Sequence, residues 1–105
     1  MIMDDQVRQR IENDLKNNKV MLYMKGTPEA PLCGFSAQTV AILKEYQVPF
    51  KSFNILDDES IRQGLKEYAN WPTFPQLYVN SELVGGCDII VELHQNGELK
   101  EILSK

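Results

Sequence analysis

The chain has 105 residues, a formal net charge of −4, 43% hydrophobic and 25% charged residues. That size and balance suit one globular domain spanning 1–105, with a core that needs no metal or disulfide staple. The acidic excess argues against nucleic acid as a partner, because phosphate binding requires concentrated Lys and Arg, and no apolar run nears the ~20 residues of a membrane span.

Within Met1–Arg10, the early Asp4 and Asp5 break the basic-then-apolar order of a secretion leader, so the expected location is cytoplasmic. Asp4 or Asp5 is placed to cap a first helix on which Val7, Ile11 and Leu15 recur at helical spacing. Val20 to Met24 is a continuous apolar run and predicts a strand buried on both faces. Lys25-Gly26-Thr27-Pro28 ends it. Glu29 to Leu32 reads as a loop stiffened by Pro28 and Pro31, and a helix begins close to Cys33, carrying Thr39, Ile42, Leu43 and Tyr46.

Pro49 to Asn54 predicts a second strand, and Asp57 and Asp58 are capping candidates for a helix with Ile61, Leu65, Tyr68 and Ala69. Trp71 to Pro75 is a stiff connection. Gln76–Val79 and Glu82–Val84 form a predicted hairpin through Asn80-Ser81. Gly85-Gly86 then opens a helix with Ile89, Ile90 and Leu93 on one face, and a short last helix holds Leu99, Ile102 and Leu103. The early strand–helix–strand implies a parallel pair and the late hairpin an antiparallel one. An α/β protein with a mixed sheet and helices on both faces follows.

The chain has two cysteines, Cys33 and Cys87, far apart in sequence, which does not suggest a disulfide-stapled secreted domain. The single His94 cannot complete a common four-ligand zinc site. Cys33 lies between a buried strand and a helix start, where unpaired N–H groups and the helix dipole favour the thiolate. Lys25 adds positive charge nearby. A buried structural cysteine is the bland alternative, and a loop between Pro31 and Gly34 makes it the poorer one. Ser36 occupies the position at which a Cys-x-x-Cys motif keeps its second thiol. An internal bond is therefore impossible there, and a resolving thiol must come from elsewhere, with glutathione the abundant candidate. Ser36 itself either hydrogen-bonds the thiolate or caps the helix.

Four blocks in order carry a resemblance: Lys25-Gly26-Thr27-Pro28, Cys33-Gly34-Phe35-Ser36, Trp71-Pro72-Thr73-Phe74-Pro75-Gln76-Leu77-Tyr78 and Gly85-Gly86-Cys87-Asp88. Together they resemble the monothiol glutaredoxins, in the single-domain form, over essentially the whole chain. The resemblance implies a thioredoxin fold with a four-stranded mixed sheet flanked by helices. It implies a glutathione groove in which Lys25 and Arg62 contact the peptide's carboxylates. Phe74 would precede a cis-proline and pair through its backbone with glutathione. Cys87 and Asp88 would hold the γ-glutamyl end. On residues alone, Arg62 reads as a solvated helix charge, Pro75 as a trans proline and Asp88 as a helix cap. Cys87 reads as a packed small side chain or a backbone contact, ahead of a thiol that pairs with Cys33.

By the same resemblance, Cys33 is both nucleophile and metal ligand. A sulfur-held 2Fe-2S cluster needs four thiolates. Cys33 from each of two subunits and two glutathiones supply that number, in a homodimer that forms when cluster is loaded. The function implied is iron–sulfur cluster assembly and transfer, with BolA-like proteins and apo iron–sulfur proteins as partners. The alternative is a weak glutathione-dependent oxidoreductase that reduces protein–glutathione mixed disulfides. The resemblance departs at Asn80-Ser81, where Asn-Gly is expected for a type I′ turn.

Overall fold

Asp4 accepts a hydrogen bond from the Gln6 N–H at 2.7 Å and starts α1 (Asp5–Asn17) in the computed structural model, which describes residues 4–105. The first part of the stretch read for a leader, residues 1–3, lies outside the described residues. The other elements are β1 (Val20–Met24), α2 (Gly34–Glu45), β2 (Lys51–Asn54), α3 (Glu59–Ala69), β3 (Gln76–Val79), β4 (Glu82–Gly85), α4 (Cys87–Asn96) and α5 (Glu98–Ser104). A 3-10 turn, Ile55–Asp57, follows β2. The order matches the sequence reading except for that turn, which periodicity is too short to reveal. Among the described residues no helix is long and apolar enough to cross a membrane.

The sheet order is β2-β1-β3-β4, with β1 parallel to β2 and antiparallel to β3, and β3 antiparallel to β4. All five residues of β1 are buried, as the unbroken apolar run predicts for a central strand. Its alternation divides the core in two. Val20, Leu22 and Met24 pack with Val40 and Leu43 of α2, Ile90 of α4 and Leu99 and Leu103 of α5. Met21 and Tyr23 face the other way, onto Ile11 and Leu15 of α1 and Ile61 and Leu65 of α3. Tyr23 is fully enclosed, edge-on to Tyr78, and its hydroxyl donates to Asp14 at 3.3 Å. Burial and the Asp14 charge push that hydroxyl far above the ordinary tyrosine range.

Local signals set the element ends. Asp58, and not Asp57, caps α3, accepting from the N–H groups of Ser60 at 3.0 Å and Ile61 at 3.2 Å. The Ile61 N–H bond leads the causes that hold its carboxyl below the usual range. Asp57 belongs to the 3-10 turn instead. The second strand starts at Lys51, leaving Pro49 outside the ladder, consistent with a residue that cannot donate to it. Asn80 and Ser81 both take positive φ, 52° and 68°, so the hairpin keeps the geometry that glycine would favour. The Ser81 hydroxyl donates to the Leu15 carbonyl at 3.3 Å, a tertiary contact that supports the turn. On the opposite face, α2 and α4 are tied by the Tyr46 hydroxyl and His94 Nδ1 at 2.6 Å, with His94 Nε2 at 3.1 Å from Glu45.

Candidate thiol site and adjoining cleft

The thiol is placed by a loop that doubles back on the end of β1. Gly26 has φ +89°, a conformation that L side chains rarely adopt. A Cβ there would lie 2.6 Å from both the Ala30 carbonyl and the Leu32 N–H nitrogen. Thr27 and Ala30 exchange backbone hydrogen bonds at 3.3 and 3.0 Å, and the Leu32 N–H donates to the Lys25 carbonyl at 3.0 Å. The chain thus returns beside Lys25 just before Cys33. Two side chains fix the strand end. Ser36 Oγ accepts from the Lys25 N–H at 3.1 Å, and Asn54 Oδ1 accepts from the Gly26 N–H at 2.9 Å.

Cys33 is itself the N-cap of α2, with extended backbone angles, and its sulfur accepts from the Ser36 N–H at 3.4 Å. Ser36 Oγ lies 3.7 Å from the sulfur. Of the two roles weighed for Ser36, the structure shows the bond to the sulfur, while the cap of the helix is Cys33 itself and not Ser36. The thiol is half-buried, whereas Cys87 is buried. Burial pushes the Cys33 thiol up. The Ser36 N–H and hydroxyl, the Phe35 N–H and the Lys25 charge together outweigh it and hold the pKa below the ordinary thiol value. A half-exposed sulfur with a lowered pKa is a nucleophile and a soft metal ligand.

Two residues beyond Cys33, Phe35 forms one wall of a cleft of about 370 Å³. The other walls are the Trp71–Pro75 connection and the start of α4, Gly86 to Ile89. The Phe74–Pro75 bond is cis, as the resemblance implies. Buried Gln76 braces this connection from beneath. Its amide donates to the carbonyls of Trp71 at 3.1 Å and Thr73 at 3.3 Å, and its Oε1 accepts from the Tyr78 hydroxyl at 2.9 Å. Gly86 caps α4 without a side chain, and Asp88 does not replace that cap. The helix start therefore lines the cleft with no side chain capping it, a seat for a carboxylate whose first turn also carries the Asp88 charge. A Cβ on Gly86 would lie 3.3 Å from the Pro75 carbonyl and 3.3 Å from Trp71 Nε1. Trp71 Nε1 is buried with no hydrogen-bond partner among the described residues.

Of the residues singled out in the sequence, Phe74, Cys87 and Asp88 line the cleft, and Cys33 and Lys25 stand together at the loop beside it. Arg62 lies on α3, is paired with Glu59 at 3.2 Å and does not line the cleft. The Cys87 thiol donates to Gln38 Oε1 at 3.4 Å. Asn54, Gln76 and Gln38 were not anticipated. Only the polarity of Gln76 among apolar strand neighbours hinted at a buried network.

A mixed four-stranded sheet with a helix-capping thiol and a neighbouring cis-proline defines a thioredoxin-type thiol protein with one half-exposed cysteine. The glutaredoxin family model matches residues 20–84. A Rickettsia typhi protein named probable monothiol glutaredoxin 2 is 55% identical over 102 residues, covering 97% of this chain and 92% of its own length. Monothiol glutaredoxin-S11 of rice is 53% identical over 105 residues; this chain spans all of its own length but 21% of that larger protein. The solution structure of reduced apo GrxS14 from poplar superposes with a TM-score of 0.86 at 49% identity, covering 99% of this chain and 95% of the other. The chain belongs to the glutaredoxin family, among its monothiol members.

Proposed function

We propose that the protein binds glutathione in the cleft and carries a 2Fe-2S cluster between two subunits, acting in iron–sulfur cluster assembly and transfer. The observation that carries this reading is the lone half-exposed thiol, held at lowered pKa with a serine where a resolving cysteine would stand. Among the described residues no three His, Cys, Asp or Glu side chains gather to hold a metal. One chain therefore offers one thiolate, and a four-thiolate cluster is completed by the Cys33 of a second copy and by two external thiols.

The cleft suits glutathione as the source of those thiols. Lys25 supplies positive charge beside the sulfur, and the uncapped start of α4 accepts a carboxylate. The orphaned Trp71 N–H is a spare donor next to it. Phe74 presents its backbone for strand-like pairing with the peptide. Arg62 joins the second carboxylate by releasing Glu59, an i,i+3 surface pair that costs little to break. The cluster is cargo: half its ligands are exchangeable, which favours passage to apo iron–sulfur proteins, with BolA-like proteins as further partners and the cytoplasm as the site of action.

A second reading draws on the same lowered thiol pKa. Cys33 thiolate attacks the glutathione sulfur of a mixed disulfide and releases the client thiolate. A second glutathione thiolate then attacks the Cys33–glutathione bond, leaving oxidised glutathione and free Cys33. We expect this turnover to be slow. Anaerobic reconstitution with iron, sulfide and glutathione separates the readings. The carrier reading expects a coloured protein of doubled mass that does not form when glutathione is left out. A colourless monomer with brisk reduction of a glutathionylated substrate would reverse the order.

A further inference from the structure

Gln76 is fully enclosed, on a strand whose other residues, Leu77, Tyr78 and Val79, are buried as well. An amide in such a place costs stability unless its groups are paired. Its two N–H hydrogens serve two carbonyls, those of Trp71 at 3.1 Å and Thr73 at 3.3 Å. Its oxygen accepts from the Tyr78 hydroxyl at 2.9 Å. Burial pushes that hydroxyl above the ordinary tyrosine range, so it stays a donor. A donor there fixes the sense of the amide, with its oxygen towards Tyr78 and its nitrogen towards the connection. The Gln76 backbone pairs with Tyr23 of the central strand. The amide is therefore anchored outside the connection that it holds.

Those two carbonyls decide how the connection presents its other groups. The Thr73–Phe74 peptide is trans, so its C=O and N–H point in opposite directions. Drawing the Thr73 carbonyl down onto the buried amide turns the Phe74 N–H away from Gln76. That N–H meets no acceptor among the described residues, and Phe74 lines the cleft. The bond to the Trp71 carbonyl acts on the other wall. The Trp71 indole lies against Gly86, with Nε1 3.3 Å from where a Cβ there would stand. Holding Trp71 therefore also holds the spacing to the start of α4.

We propose that Gln76, oriented by Tyr78, is a positioning residue for glutathione: it aims the Phe74 N–H at the peptide and keeps that donor in register with the carboxylate seat at the start of α4. The proposal rests on the glutathione reading above and deepens it. Gln76 acts through the backbone and does not touch the ligand. Without its amide the Thr73–Phe74 peptide plane is free to rotate, and the donor must be ordered at the moment of binding, which lowers affinity. The thiol is tuned separately, by Ser36, Phe35 and Lys25 on α2 and at the end of β1. Loss of the amide should therefore weaken glutathione binding while leaving the ionisation of Cys33 where it is.

The test is titration of the reduced, cluster-free protein with reduced glutathione, followed at each backbone amide by nitrogen-15 NMR, for wild type, Gln76→Leu and Tyr78→Phe. In wild type the amides of Phe74, Cys87 and Asp88 are expected to shift together. Gln76→Leu should bind about tenfold more weakly, with the Phe74 response reduced most, and Tyr78→Phe about threefold more weakly in the same direction. Both should keep the wild-type pH profile of Cys33 alkylation. Should Gln76→Leu fail to fold, Tyr78→Phe carries the test, since it keeps the amide and the ring and removes only the group that orients them. Variants that bind glutathione as tightly as wild type overturn the proposal. So does a Cys33 pH profile that moves in step with the affinity, which makes Gln76 a general support of the fold. A wild type whose Cys87 and Asp88 amides respond while Phe74 does not overturns this proposal alone. A wild type in which no cleft amide responds removes the glutathione reading, and this proposal with it.

Discussion

Cys33→Ser is expected to abolish cluster uptake and thiol exchange completely while leaving the fold intact. The sulfur is half-buried and packs against no core cluster, so a slightly smaller oxygen creates no damaging cavity. Serine also retains the helix cap, since its oxygen accepts from the Ser36 N–H in place of the sulfur. The unfolding midpoint should therefore stay near wild type. The chemistry does not survive, because a serine hydroxyl does not ionise in the range where the lowered Cys33 pKa supplies thiolate. The colour of the anaerobically loaded protein and the release of thiol from a glutathionylated peptide are the two readouts. Cys87 does not substitute, since it is buried and bonded to Gln38.

Gly26→Ala should be the most damaging single-methyl change at the site. It forces a residue with a Cβ into φ +89° and drives that Cβ to 2.6 Å from two backbone atoms, neither of which is a flexible side-chain end. The combined conformational and steric cost is about 2–4 kcal/mol, visible as a lower denaturant midpoint with an unchanged slope. The harm is not only to stability. The displaced atoms belong to Ala30 and Leu32, so the loop that returns Cys33 to the end of β1 opens. Cys33 then loses its proximity to Lys25, and its ionisation should move up towards the free-thiol value. Gly34→Ala is the matched control, since a Cβ there meets nothing within 4 Å.

The sequence made legible what depends on short-range pattern. The unbroken Val20–Met24 run announced a central strand, and the acidic residue before α3 announced its cap, because burial on two faces and capping both leave a mark within a few residues. The thiol could be placed at a helix start for the same reason. What stayed hidden is held by partners distant in sequence. Asn54 reaches back 28 positions to the Gly26 N–H, and Ser81 reaches 66 positions to the Leu15 carbonyl, which supports a turn that the local residues disfavour. Gln76 stands out in the sequence only by its polarity among apolar strand neighbours, which does not reveal that its buried amide fixes the connection that walls the cleft. Arg62 shows the converse. The resemblance places it at a carboxylate of glutathione, while the structure pairs it with Glu59, its neighbour on the same helix.

Alkylation of native protein by iodoacetamide across a pH series, with each cysteine followed by mass spectrometry, addresses the state of the working sulfur most directly. Cys33 should react readily, with its half-maximal rate at a pH below that of a cysteine in the unfolded chain, because the ionised form is favoured by the Ser36 and Phe35 donors and by Lys25. Cys87 should remain unmodified until the protein unfolds. A Cys33 that resists the reagent, or that titrates at or above the free-thiol value, would contradict the account.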